Sequence, residues 1–402
     1  RIKLFMHLKN NKNLEFKFID TYGFFYRTHN SNVHKNLNRQ ISLALQIVNK
    51  FFPNRKIPSV LEQWICHGIR ELPFIKILSI FINKKIEVSL LFNKNILNCL
   101  IQVFKKKIKS APKYLTFRFH KLYKKILLHF DKGNKYEEKV LFNSINFKRT
   151  ENMLVVFSHY DKDSKIDDYV VYYLTELKKI GCDILFVSTS ENLIESETNK
   201  ISSICYQVIV KQNIGYDFGA WRAGIEIVSN ILEEYQQLIL CNDSVYAPIF
   251  DLNKMFESMK GKFDFWGITD NYQHKHHIQS YFMVFSKKIF LEKYFLDFWK
   301  NIKVFKYKES IIQNYEIGLT KLLRDKKYEY GVYCPSKFGD KKNSTHYYWK
   351  NLILEQYSPI IKIELLRDNP TQTDISDWED VLLNNTDFDV NMIKNHIKRI
   401  KN

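Results

Sequence analysis

Tyr206-Gln207-Val208-Ile209-Val210-Lys211-Gln212-Asn213-Ile214-Gly215-Tyr216-Asp217-Phe218-Gly219-Ala220-Trp221 is the stretch that decides the fold. An aliphatic run at 206–210 ends in a polar loop carrying two glycines, and a helical pattern follows from about Ala220 to 232. The same grammar repeats on either side. Upstream come an apolar run at 153–157, an amphipathic helix at 168–180 and a second run at 184–187; downstream comes a fourth run at 238–240. Runs of β-branched and aliphatic residues separated by helix-length segments predict an α/β fold, with a mainly parallel sheet flanked by helices on both faces. Ligands of such sheets gather at the carboxyl ends of the strands.

Polar clusters fall at those ends. The first run closes in Ser158-His159-Tyr160-Asp161, the second in Ser188-Thr189-Ser190, the third in the loop quoted above and the fourth in Asn242-Asp243-Ser244. A departing pyrophosphate develops charge that a divalent cation neutralises, and a single Asp directly after an apolar strand is a hard-oxygen ligand for it. Asp243 is therefore a candidate, although the same tripeptide also reads as a turn or helix cap. Gly215 and Gly219 permit close approach to a ligand, and Asp217 either binds a sugar or ribose hydroxyl or caps the following helix. Further along, 263–267 and 276–282 mix aromatics with amides and hydroxyls, as sugar sites do. Trp266, His277 and Gln279 are the candidates there, while Phe282 and Phe285 read as core. The His276-His277 pair suggests a metal, but neighbours in a strand point opposite ways and no third ligand is suitably spaced, so zinc is excluded. Glu316 opens an amphipathic segment and serves either as a general base or as a helix-terminal carboxylate.

The 402 residues suit two or three domains, and a composition 45% hydrophobic and 15% aromatic is globular. Sixty-two Lys and Arg against 43 Asp and Glu leave a net charge of +19, which favours an anionic partner. Residues 88–130 hold ten basic side chains and no acidic one. Within them Leu115, Phe119, Leu122, Ile126 and Phe130 recur at helical spacing, with Arg118, Lys121, Lys124 and Lys125 elsewhere on the wheel. Such a helix either lies on an anionic membrane surface or packs on its own domain with a solvated lysine face. The excess is mostly Lys and no groove-reading motif occurs, which argues against nucleic acid. Six cysteines without a C-x-x-C pair read as reduced core residues of a cytoplasmic protein. No apolar run reaches the roughly 18 residues of a membrane span. The chain starts at Arg1 without a Met or leader, which leaves open that it is a fragment. Residues 1–150 read as a mainly helical basic region, 151–335 as the site-bearing domain and 336–402 as an extension packed on it.

Read together, Phe157-Ser158-His159-Tyr160, residues 213–221, Asn242-Asp243-Ser244-Val245-Tyr246, Asp264-Phe265-Trp266-Gly267, Gln279-Ser280-Tyr281-Phe282, residues 315–320 and residues 364–370 resemble the rhamnan synthesis F family of bacterial polysaccharide glycosyltransferases. The resemblance spans about 152–370. It implies a GT-A-like (Rossmann-like) domain. It also implies a nucleoside-diphosphate sugar donor, possibly dTDP-rhamnose, and a growing glycan or lipid-linked acceptor at the inner face of the cytoplasmic membrane. On that analogy His159, Tyr160, Ser188, Asn213, Gly215, Asp217 and Asn242 hold the donor. Asp243 binds Mg²⁺ or Mn²⁺ and the diphosphate, Trp266, His277 and Gln279 meet the acceptor, and Glu316 is the base of an inverting transfer. The usual Asp-x-Asp is reduced here to Asn-Asp-Ser. That single carboxylate keeps open a different reading, a catalytically silent glycan-binding or membrane-docking subunit.

Overall fold

The computed structural model describes residues 131–135 and 139–401, together with Cys66, Cys99 and Gln102. The chain divides into two units, 1–125 and 126–402. In the first, the buried Cys99 thiol donates to the Cys66 carbonyl at 3.3 Å; the basic helix expected at 115–130 and the membrane contact expected at 88–130 otherwise lie outside the described residues. All six cysteines are unbridged and buried.

The described strands of the second unit are β1 (Asn134–Lys135), β2 (Val140–Ile145), β3 (Met153–His159), β4 (Cys182–Ser188), β5 (Gln207–Lys211), β6 (Gln237–Asn242), β7 (Val245–Tyr246), β8 (Phe265–Asn271), β9 (His277–Ile278), β10 (Phe282–Ser286), β11 (Lys303–Val304), β12 (Tyr330–Cys334) and β13 (Ile361–Lys362). The main sheet runs β12-β8-β10-β6-β3-β4-β5-β2, with β9 paired to β8. Its centre, β6-β3-β4-β5, is parallel. Antiparallel β10 joins this block to β8, and β12 runs parallel to β8. Two small ribbons, β1 with β11 and β7 with β13, lie outside the sheet.

The central strands are buried on both faces, so they read as continuous apolar runs rather than as alternating ones. Their side chains nonetheless sort with period two. Val155, Phe157, Ile184 and Phe186 enter one core with the helix Asp168–Lys179. Leu154, Val156, Leu185 and Val187 enter the other with the helix Tyr216–Ile227. That second helix sits unusually close to the sheet. A Cβ at Gly224 would lie 2.3 Å from Val156 Cγ1, and the Trp221 indole N–H donates to the Cys241 carbonyl at 3.0 Å.

The α/β fold with a sheet flanked by helices is as expected, the sheet being mixed because β10 and β2 run antiparallel to their neighbours. The structure differs from the sequence reading in two places. The helix expected from Ala220 begins at Tyr216: Gly215, at φ 84°, is its left-handed N-cap, and Gly219 lies within the first turn. Residues 140–145, read as part of a mainly helical region, form β2 and cover the open edge of β5. Its side chains are largely exposed, so no apolar alternation announces it.

The C-terminal segment returns to the start of the sheet. On the helix Val390–Lys401, Arg399 pairs with Asp161 at 2.5 Å, Asp163 at 3.0 Å and Asp167 at 2.5 Å, fastening the loop that follows β3. Burial alone would raise the Asp161 carboxyl, but hydrogen bonds from Arg399 and from the Lys165 N–H hold it below the ordinary carboxylate range. The Asp161 contribution is therefore present above about pH 4 and is lost as pH falls through the lower folded value. Replacing Arg399 with Ala is expected to cost about 2 kcal/mol at neutral pH. In urea denaturation, the gap between wild type and variant should narrow as pH falls below about 4.

Candidate functional site

The carboxyl ends of β3 and β6 lie side by side because Phe157 registers with Cys241 and Ser158 with Asn242. A hydrogen-bonded chain crosses them. The Ser158 hydroxyl donates to Asp217 Oδ1 at 2.9 Å, and the Asn242 amide donates to Asp217 Oδ2 at 2.9 Å. Asn242 Oδ1 in turn accepts from the Ser244 hydroxyl at 2.6 Å, and Ser244 Oγ accepts from Lys362 Nζ at 3.1 Å. Asp217 thus has both oxygens engaged by neutral donors. Burial pushes its carboxyl above the ordinary range, while Ser158, Asn242 and the charges of Lys362 and Lys308 pull it back.

Asp243 is placed differently. Its Oδ2 accepts from the Tyr160 N–H at 2.9 Å. Burial and the nearby Asp217 charge raise this carboxyl well above the ordinary range, against the pull of the Tyr160 N–H. These two carboxylates fit a resident divalent cation poorly. Both Asp217 oxygens already accept hydrogen bonds from neutral donors, and among the described residues no three His, Cys, Asp or Glu side chains converge to hold a metal.

His159 and Ser188 are buried supports. The His159 Nε2–H donates to the Lys165 carbonyl at 3.1 Å, which leaves Nδ1 to accept from Ser188 Oγ at 2.9 Å. Burial lowers the imidazole to about 4, so it is neutral at physiological pH. Its Nε2 lies 3.9 Å from Asp243 Oδ2, a contact that does not amount to an ion pair. Both side chains, expected to hold the donor, are buried and hold the β3 and β4 ends together. Tyr160 remains 52% exposed, as does Tyr216 at 51%. Tyr216 is a non-glycine residue at φ 54°, directly after left-handed Gly215. Asn213 is exposed, and its backbone N–H is tied to Glu191 at 2.9 Å.

A second cluster gathers around Glu316, at the end of the π-helical turn Ile312–Glu316. Single π turns recur at functional sites. Glu316 Oε1 accepts from the Ser280 N–H at 2.8 Å and from the Ser280 hydroxyl at 2.9 Å. Its Oε2 lies 3.9 Å from His277 Nε2, whose ring is fixed by Nδ1–H donation to the Lys275 carbonyl at 2.7 Å. One carboxylate oxygen is anchored and the other is left for a proton.

Trp266, Gln279 and His277, expected to meet sugar, are all buried. Trp266 is 3% exposed and packs edge-on to Phe256 in the core, because on β8 its ring turns inward. Gln279 is buried, and its side-chain carbonyl accepts from Thr269 at 2.6 Å, which fixes the turn before β10. Ser158, Ser244, Ser280 and Lys362 were not singled out by the sequence. For Lys362 the only signal was a lysine set inside the apolar run Ile360-Ile361-Lys362-Ile363.

The fold and site define an α/β protein whose strand ends carry two half-buried carboxylates, with a glutamate and a lysine in the same electrostatic field. The profile of the rhamnan synthesis protein F family matches residues 184–402, and the chain belongs to that family. It is 34% identical over 153 residues to the uncharacterized protein y4gN of Sinorhizobium fredii, a match covering 37% of this chain and 40% of that one. It is 30% identical over 221 residues to virulence protein VirA of Vibrio anguillarum, covering 47% and 70% respectively. The match thus takes in less than half of the first relative's length. Among solved structures, the glycosyltransferase GlyE of Streptococcus pneumoniae TIGR4 is similar at 13% identity and a TM-score of 0.35, over 63% of this chain and 64% of that one. The galactosyltransferase LgtC is similar at 10% identity and a TM-score of 0.32, over 59% and 97%. Likeness at that level carries no argument about this chain.

The neutral, buried His159 makes stability pH-dependent. Its folded value of about 4 against an unfolded 6.5 means that the unfolded chain takes up a proton first as pH falls, so stability is lost between those values. Between pH 7 and pH 4 the wild type should lose about 3 kcal/mol more than His159→Gln. Denaturant titration of both proteins at the two pH values measures it.

Proposed function

We propose that the chain is a nucleotide-sugar-dependent glycosyltransferase of GT-A type, transferring a hexose to a growing bacterial cell-surface glycan. Membership of a family described by rhamnan synthesis supports the reaction class, and rhamnose carried on a deoxythymidine diphosphate is the donor we favour. The observation that carries the reading is the pairing of two unlike clusters. One is the polar chain Ser158–Asp217–Asn242–Ser244 at the strand ends. The other is Glu316, braced through one oxygen by Ser280.

In this reading Asp217 and Asn242 orient the donor, and the exposed rings of Tyr160 and Tyr216 offer faces for the base. Glu316 removes the proton of the acceptor hydroxyl as that oxygen bonds to the anomeric carbon. The bond from that carbon to the diphosphate oxygen breaks on the opposite side, and the electron pair leaves with the nucleoside diphosphate. The outcome is inversion. His277 beside Glu316 shapes the acceptor side. The acceptor is a glycan or lipid-linked glycan, and the work is done at the inner face of the cytoplasmic membrane. No helix among the described residues is long and apolar enough to cross a membrane.

The test is nucleoside-diphosphate release from a panel of nucleotide sugars, with membrane extract as acceptor. One donor is expected to be turned over, and Glu316→Gln, which keeps an oxygen for Ser280, should reduce kcat about 10²- to 10⁴-fold while leaving donor affinity nearly unchanged. Full turnover by the variant would remove Glu316 from the role of base. Absence of release from every donor would favour a silent glycan-binding subunit, the reading to which the lone Asp243 lends itself.

A further inference from the structure

Lys362 occupies an unusual position for a lysine in a chain with 62 basic residues. The β7–β13 ribbon registers Lys362 with Val245, which brings it beside the residues that close β6. Its Nζ donates to Ser244 Oγ at 3.1 Å and stands 4.2 Å from the centroid of the Tyr281 ring. Both close partners are neutral. Tyr281 is itself buried, with its hydroxyl 2.7 Å from Thr269 Oγ1, and burial keeps the phenol far from ionising. Glu316 and Asp217 act on the ammonium from opposite clusters of the site, and burial brings it down to about 8, so it is charged at neutral pH. An ammonium has three N–H donors, of which Ser244 takes one. Burial outweighs the pull of those carboxylates, and an anion bound at the remaining donors would offset that cost.

We propose that Lys362 binds the diphosphate of the donor and neutralises the charge that develops on it, in the position where a divalent cation was expected beside Asp243. This inference rests on the donor-site reading above. A departing diphosphate requires positive charge within a few ångströms. The carboxylates at this strand end fit a metal poorly, whereas Lys362 is tied to them through Ser244 and Asn242 and has donors to spare. Lys308 adds to the same field. It opens the helix Lys308–Ile311 immediately before the π turn that carries Glu316, and its charge is felt by Asp217 and Lys362.

The experiment is calorimetric titration of the whole chain with UDP, GDP, dTDP and inorganic pyrophosphate, and with the matching nucleosides, all in EDTA. At least one nucleoside diphosphate is expected to bind the wild type without metal. Lys362→Gln should weaken that binding about 10- to 100-fold and leave the nucleoside within about twofold, while Lys362→Arg restores most of the loss. Undiminished binding by Lys362→Gln, or wild-type binding that appears only with Mg²⁺ or Mn²⁺, would overturn the assignment and leave the transferase reading standing. A wild type that binds no nucleoside diphosphate with or without metal would overturn the donor site and the lysine's part together. Acylation of surface amines followed by mass spectrometry tests the same point without a variant: saturating pyrophosphate or the bound diphosphate should shield Lys362, and equal labelling would count against it.

Discussion

Everything at the site depends on the register between β3 and β6. Opposing Ser158 to Asn242 leaves the two strands ending level, so that their last polar side chains reach the same carboxylate, Asp217, from two sides. A slip of one residue would turn Ser158 and Asn242 to the other face and send Phe157 into the cleft. The register is held by the apolar residues behind it. Val155, Phe157, Ile239 and Cys241 are fully buried in one core, and Leu154, Val156, Leu238 and Leu240 in the other. The chemistry in front is positioned by packing that has no chemistry of its own.

The parallel centre of the sheet was legible because strands buried on both faces leave uninterrupted aliphatic runs: residues 153–157, 184–187 and 238–240 fall within β3, β4 and β6, and 206–210 overlaps β5. The edges were not. β2 pairs on one side only and shows most of its side chains to solvent, so nothing in Val140–Ile145 distinguishes it from loop or helix. The glycines of the 213–221 loop misled in a different way. Both read as loop, whereas Gly215 caps the helix with a left-handed backbone and Gly219 is helical.

Candidate site residues were legible when they followed an apolar run and illegible when distance in sequence separated them from it. Asp217 and Asn242 fall in the first group, whereas Glu316 stood out by opening an amphipathic segment. Lys362 falls in the second, reaching Ser244 from 118 residues away. Its residue type carries no signal in a lysine-rich chain; its surroundings do. Trp266, His159 and Ser188 show why residue type alone is a poor guide: types suited to ligands are also suited to bracing a core or a strand end.

The bond from Arg399 to Asp161 joins residues 238 positions apart. The loop after β3, which bears Tyr160 at the mouth of the cleft, leaves the ribosome long before the helix that fastens it. A nascent chain can therefore pair its parallel strands while the loop after β3 is still loose, because the helix that fastens it, and part of one core, lie more than 200 residues further along the chain. Such long-range closure slows the final step of folding relative to the local steps before it.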